Sequence, residues 1–182
     1  MKKIAVFFAP GYEEIEALTV VDLCRRAGID VTTVSVEEEK SATGSHNITV
    51  EMDQVFSEVV FEDLDMIVLP GGMPGTRNLE AHEGLMKQVD LFFDTGKYVC
   101  AICAAPSIFG HRGIVRGKKV CCYPGFEKDM EGAQICYDSV CVDGNVITSR
   151  GMGTAIDFAL AIIGELCGSD VAEEKAKSII YK

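Results

Sequence analysis

No apolar run in this chain approaches the roughly 20 residues that a membrane-spanning helix requires. Its first apolar segment, Ile4 to Ala9, is short and leads into Glu13 and Glu14. A secretory signal needs a longer apolar stretch and a cleavage site, so a cytoplasmic location without membrane contact is expected. Positive charge is scarce: 17 Lys and Arg stand against 28 Asp and Glu, a formal net charge of -11. That balance argues against non-specific nucleic-acid binding, which depends on basic patches neutralising phosphates, and it favours solubility. Linkers, internal repeats and low-complexity tracts are missing too. Residues 1–182 therefore read as one domain, long enough for one well-buried core and short for two.

Histidine is sparse, and His46, His82 and His111 are scattered as surface or capping residues rather than as a ligand set. The Gly-Gly-Met-Pro-Gly loop at 71–75 lacks the Lys-Ser/Thr of a phosphate-binding P-loop, which removes support for nucleotide hydrolysis. Cysteine, by contrast, occurs eight times, at 24, 100, 103, 121, 122, 136, 141 and 167. Cys24 and Cys167 fall in amphipathic helical segments, where a buried thiol behaves as a small hydrophobe, and reduced thiols are expected throughout. A zinc site would need a second spaced pair, which Cys121-Cys122 and Cys136/Cys141 do not supply, so neither metal nor cofactor is expected. Cys100-Ala-Ile-Cys103 matches C-x-x-C, yet Cys100 lies inside a strand-like segment, where extended backbone keeps the sulfurs apart.

The remaining pattern alternates strands and helices. Ile4–Ala9 reads as a strand covered on both faces. Glu13 to Ala27 follows helical spacing, with Ile15, Leu18, Val21 and either Val20 or Leu23 on one side, and Gly28 caps it. Val31 to Val36 completes a βαβ unit, which demands a parallel sheet. A small antiparallel excursion follows within 42–58. Then come a strand at Asp65–Leu69, a helix at Glu83–Thr95, a strand at Tyr98–Ile102 and a short helix at Ala104–Gly110. Brief strands are read near 120–122, 134–136, 139–142 and 145–149, with helices at Thr154–Leu166 and from Ser169 to about Ser178. The expected fold is α/β: a flavodoxin-like, three-layer sandwich with a mostly parallel central sheet.

Ligands in such sheets gather beyond the carboxyl ends of the strands. Three of those ends are unusual: Gly11-Tyr-Glu-Glu-Ile-Glu16, Pro70-Gly71-Gly72, and Cys103-Ala-Ala-Pro106. Cys103, among small residues and followed at once by helix, fits a nucleophile elbow, in which a strained turn presents one side chain above the sheet. A helix start there favours thiolate; the alternative is that Cys103 is one more small buried hydrophobe. Among Glu13, Glu14 and Glu16, at least one should face the crevice. A carboxyl beside a thiolate has its pKa raised and can donate to sulfur, giving a nucleophile with a general acid/base. Gly71 and Gly72 permit the close backbone approach that an oxyanion site requires.

Together, Ala9-Pro-Gly-Tyr-Glu-Glu-Ile-Glu16, Leu69-Pro-Gly-Gly72, Ala101-Ile-Cys-Ala-Ala-Pro106 and Thr148-Ser-Arg-Gly-Met-Gly-Thr154 resemble the ThiJ/PfpI superfamily, also called the DJ-one superfamily. The resemblance implies a homodimer with a reactive Cys103, a protonated partner Glu16, and an oxyanion site from the N–H groups of Gly72 and Ala104. It also places Arg26 and His46 where relatives carry basic residues near the site. The chain most resembles the branch of DJ-one and its bacterial ThiJ/YajL-like relatives, which is associated with cofactor-independent glyoxalase and deglycase activity and with oxidative-stress sensing through cysteine sulfinate. Ala104 stands where protease-like members have His, which argues against a peptidase. Tyr123 replaces a His of this branch, and tyrosine is a poor base near neutral pH. Met152 replaces a common Pro beside the dimer contact. Two functions follow: an enzyme acting on small reactive aldehydes, or a redox sensor, stress-protective or chaperone-like, working through oxidation of Cys103.

Overall fold

The computed structural model describes residues 1–181. In β1 (Lys3–Phe8), Ile4, Val6 and Phe8 enter one apolar cluster while Ala5 and Phe7 enter another, all of them fully buried. The run is continuous because both faces of the sheet are covered. After β1 come β2 (Asp30–Ser35), the antiparallel hairpin β3 (Ser41–Thr43) and β4 (Thr49–Glu51), and β5 (Gln54–Val55). Next are β6 (Met66–Leu69) and β7 (Tyr98–Ile102), the small parallel pair β8 (Lys119–Val120) and β9 (Gln134–Ile135), and the hairpin β10 (Val140–Asp143) and β11 (Val146–Ser149). The main sheet has seven strands in the order β10-β11-β7-β6-β1-β2-β5, parallel except at β10.

Helices close both faces. On one face Val20 and Cys24 of α1 (Glu14–Arg26) meet Phe158 and Ile162 of α5 (Ala155–Cys167); α2 (Gly75–Ala81), α3 (Glu83–Asp94) and α4 (Pro106–His111) pack on the other, through Leu79, Phe92 and Phe109. α6 (Ser169–Ser178) packs beside α5. This is the expected flavodoxin-like three-layer sandwich. Among the described residues no helix is long and apolar enough to cross a membrane.

The departures from expectation are local. α1 is rotated relative to the predicted stripe: Ile15 is half exposed, while Ala17, Val20, Val21 and Cys24 face inward and carry Glu16 inward with them. α2 is masked in the sequence by Gly71-Gly72-Met73-Pro74 before it and by its own Gly75 start, which is held by Thr76 N–H donating to the Gly72 carbonyl at 2.9 Å. α4 begins at Pro106 rather than at residue 104, as suits a residue that lacks an N–H and has a fixed φ. Cys167 is exposed rather than buried, because it lies at the last residue of α5, off the stripe. Finally, Cys136 and Cys141 are joined as a disulfide, which corrects the expectation of eight reduced thiols.

Candidate active site at the carboxyl edge of the sheet

β1 pairs with β2 on one side and with β6 on the other, so the chain's winding reverses at β1/β6 and leaves a crevice beyond their carboxyl ends. The segment after β1 brings Glu16 to it, the segment after β6 brings Gly71 and Gly72, and the neighbouring β7 delivers Cys103.

Cys103 has φ 67°, the left-handed region that a non-glycine residue enters at a cost of about 1–2 kcal/mol. Its two peptide groups hold the turn: its N–H donates to the Ser149 carbonyl at 3.0 Å, and its carbonyl accepts the Tyr123 N–H at 2.8 Å. The side chain is partly buried, and the N–H groups of Ala104 and Gly72 hydrogen-bond the sulfur. This is a nucleophile elbow in geometry as well as in sequence.

Glu16 is 1 % exposed. Its Oε2 accepts the Gly71 N–H at 2.9 Å, the Cys103 thiol hydrogen-bonds the same carboxyl, and Oε1 is buried without a partner. Burial raises its pKa to about 7, Glu13 adding to the rise while the Cys103 and Gly71 hydrogen bonds oppose it. Burial, then the charge and hydrogen bond of Glu16, push the Cys103 thiol well up, against the pull of the Ala104 and Gly72 N–H groups. The thiolate favoured by a helix start is thus corrected: α4 opens three residues later, and burial dominates. The two groups form one coupled unit in which the carboxyl can take the proton that the sulfur must lose.

Gly71 is required by space rather than by φ, since a Cβ there would lie 2.6 Å from both Cys103 Cβ and Glu16 Oε2. Gly72 has φ 92°, and a Cβ would strike the Glu13 nitrogen. Tyr123, half exposed, and Gly151 make one wall of the crevice: a Cβ on Gly151 would lie 3.3 Å from the tyrosine ring and 4.0 Å from Cys103 Sγ. The sequence reading missed Gly151 as a wall residue, although it sits within the Thr148–Thr154 motif.

His46 and Arg26 do not join this group. Exposed His46 pairs through Nδ1 with Glu14 Oε2 at 3.0 Å, and its N–H donates to Glu14 Oε1 at 2.7 Å, tying the β3–β4 hairpin to the start of α1. Burial pushes Glu14 up, but its hydrogen bonds, the His46 side chain foremost, hold it below the usual carboxylate value; that same bond, with the Glu13 and Glu14 charges, raises His46. Arg26 stands nearly three turns beyond Glu16, roughly 15 Å along α1, paired with Asp22 at 2.7 Å. Its placement near the site is corrected by that distance along the helix. His82 accepts the Leu85 N–H at the start of α3, a capping role as expected.

Known proteins share this architecture. A DJ-1/PfpI family model matches residues 2–165. Protein DJ-1 homolog B of Arabidopsis thaliana is 35 % identical across 100 % of this chain, which spans only 42 % of that relative. A protein of Pyrococcus abyssi named a deglycase is 31 % identical over 83 % of this chain and 91 % of its own length. The structure of oxidized Toxoplasma gondii DJ-1 superposes with a TM-score of 0.95 at 34 % identity, covering 100 % of this chain and 99 % of that one. By family model, sequence and fold alike, the chain belongs to the DJ-1/PfpI family.

Proposed function

We propose that the protein is a cofactor-independent enzyme of the glyoxalase/deglycase type, acting on small 2-oxoaldehydes through Cys103. The observation that carries this reading is the Cys103 thiol lying against the buried Glu16 carboxyl, with two backbone N–H groups on the sulfur. The sulfur attacks the aldehyde carbon, and its proton passes by way of Glu16 to the carbonyl oxygen, giving a hemithioacetal. Glu16, again a carboxylate, takes the hydrogen of that carbon as a proton and returns it to the neighbouring carbon, while the hydroxyl proton of the hemithioacetal moves to the ketone oxygen. The product is the thioester of a 2-hydroxy acid, which water cleaves to restore the thiol. Water and the 2-oxoaldehyde thus become the 2-hydroxy acid with no net oxidation. On this reading the N–H groups of Gly72 and Ala104, which act on the sulfur, also share the negative charge that develops at each addition. Thiol addition to a carbonyl adduct on an amine would serve deglycase chemistry, the activity that the Pyrococcus relative is named for.

A second reading has the same residues sensing oxidants. Peroxide would convert the thiol to sulfenic acid with release of water, a second equivalent would give sulfinic acid, and Glu16 would hydrogen-bond the product. The oxidized state of the Toxoplasma relative favours keeping this reading. Intact-mass analysis after mild peroxide should then show a two-oxygen gain at Cys103; oxidation spread over all free thiols would count against it.

We also propose a cytoplasmic location and, from the family resemblance, a homodimer, whose mass sedimentation at several concentrations tests. The enzymatic reading is tested by methylglyoxal consumption. Cys103→Ala should abolish turnover, and Glu16→Gln should slow it by about 10²- to 10⁴-fold. Tyr123→Phe reports whether that hydroxyl helps in place of the family's His. Turnover unchanged in Cys103→Ala overturns the reading.

A further inference from the structure

Away from the Cys103–Glu16 unit, three cysteines that no sequence spacing linked come together. Cys121 directly follows β8, Cys136 directly follows β9, and Cys141 lies within β10. Their sulfurs all lie within 4.8 Å of one another, and the residues form a buried cluster separate from both apolar cores, at 0 %, 9 % and 4 % exposure. The backbone holds them there: Cys136 N–H donates to the Val120 carbonyl at 2.8 Å, and Cys121 N–H to Thr148 Oγ1 at 3.0 Å.

We infer that Cys121, Cys136 and Cys141, once reduced, form a three-thiolate site for a soft monovalent cation of the copper(I) class. Thiolate-only sets select copper(I), zinc or iron–sulfur clusters. Structural zinc sites and iron–sulfur clusters each call for about four ligands, and among the described residues no histidine or carboxylate completes this set. The burial of all three residues leaves little room for water as a fourth ligand. Three sulfurs in a closed setting suit a three-coordinate monovalent ion.

The surroundings act on the site in both senses: burial and the Thr148 carbonyl, which accepts from Cys121 Sγ at 3.2 Å, disfavour a thiolate, and nearby donors and charge offset them. The Arg150 guanidinium lies 5.5 Å from the Tyr137 ring centre, its charge acts on Cys121, and its buried Nε has no partner. The Thr148 hydroxyl, 3.7 Å from Cys121 Sγ, can donate to a thiolate. Asp138 acts in the opposite sense, but it pairs with Lys119 at 3.1 Å.

The disulfide between Cys136 and Cys141 is the closed, ion-free state of this site. Opening requires a thiol reductant of the glutathione class: two reductant thiols become one disulfide, and Cys136 and Cys141 each regain a hydrogen. Copper(I) then displaces one proton from each of the three thiols.

The test uses the full chain, fully reduced and held anaerobically, titrated with copper(I) supplied as its coloured bicinchoninate complex. The protein should withdraw one ion per chain and develop an ultraviolet thiolate-to-copper band, and oxidised protein should withdraw none. Cys121→Ser and Cys136→Ser should each weaken binding by about 100-fold or more, since even outer partners of a metal ligand are worth roughly 10- to 100-fold. Cys103→Ala should leave it unchanged. Copper-edge absorption on the unmodified protein should count three sulfurs, a reading independent of whether any variant folds. Unweakened binding in Cys121→Ser, loss of binding in Cys103→Ala, a count of two sulfurs, or zinc(II) taking these thiols ahead of copper(I) would each overturn the inference.

Discussion

Glu16 sets the behaviour of the site at the scale of single residues. Its pKa of about 7 in the fold lies above the ordinary 4.5, so the folded chain binds this proton more tightly than the unfolded chain. The stability it contributes is therefore complete below about pH 4.5 and is lost as the pH rises through 7. Glu16→Gln removes the buried charge. In urea unfolding it should match wild type near pH 4.5 and exceed it at pH 8 by up to about 3 kcal/mol. A variant less stable than wild type at pH 8 would show that the buried carboxylate is better stabilised than its surroundings indicate. Gly71→Ala should cost about 1–3 kcal/mol and slow turnover, because the new methyl meets both reacting side chains; denaturation midpoints and aldehyde kinetics read the two effects. Cys103 and Gly71 were legible in the sequence because each follows a strand end whose direction the parallel sheet dictates, whereas only the family resemblance singled out Glu16 from Glu13 and Glu14. Arg26 and His46 were not: their places depend on distance along α1 and on the β3–β4 hairpin, which no local pattern reveals. The three clustered cysteines depend on the meeting of β8, β9 and β10, and are invisible to spacing for the same reason.

Among elements, the helices show where periodicity succeeds and where it slips. In α3 Phe92 is fully buried against the sheet while the adjacent Leu91 is half exposed. Phe92→Ala should cost about 3–5 kcal/mol and Leu91→Ala no more than about 0.5, a contrast that urea titration of the two variants checks. Equal costs would mean that α3 is seated in a different phase. α1 lies where its periodicity predicts, but it is rotated about its axis so that Ile15 is half exposed and Glu16 turns inward. A charged residue on the buried side of a helix contradicts hydrophobic patterning, and such contradictions collect at functional sites. α2 was missed since its first residue is a glycine preceded by a proline, a composition that argues for a loop.

Across the whole molecule, the reversal of winding at β1/β6 converts three separate strand tips into one crevice. The fold supplies little chemistry by itself, and the same sandwich serves many functions. What distinguishes this one is a thiol and a carboxyl that burial forces to share a proton. If Glu16 accepts the proton of Cys103, the reactivity of that thiol follows the ionisation of the carboxyl rather than its own. The most direct measurement is the rate at which iodoacetamide alkylates Cys103, followed by peptide mass from pH 5 to 9 in wild type and Glu16→Gln. The wild-type rate should rise through an apparent pKa near 7, and that limb should vanish in the variant, which should react more slowly at pH 8. The same pH profile in both proteins would contradict the account.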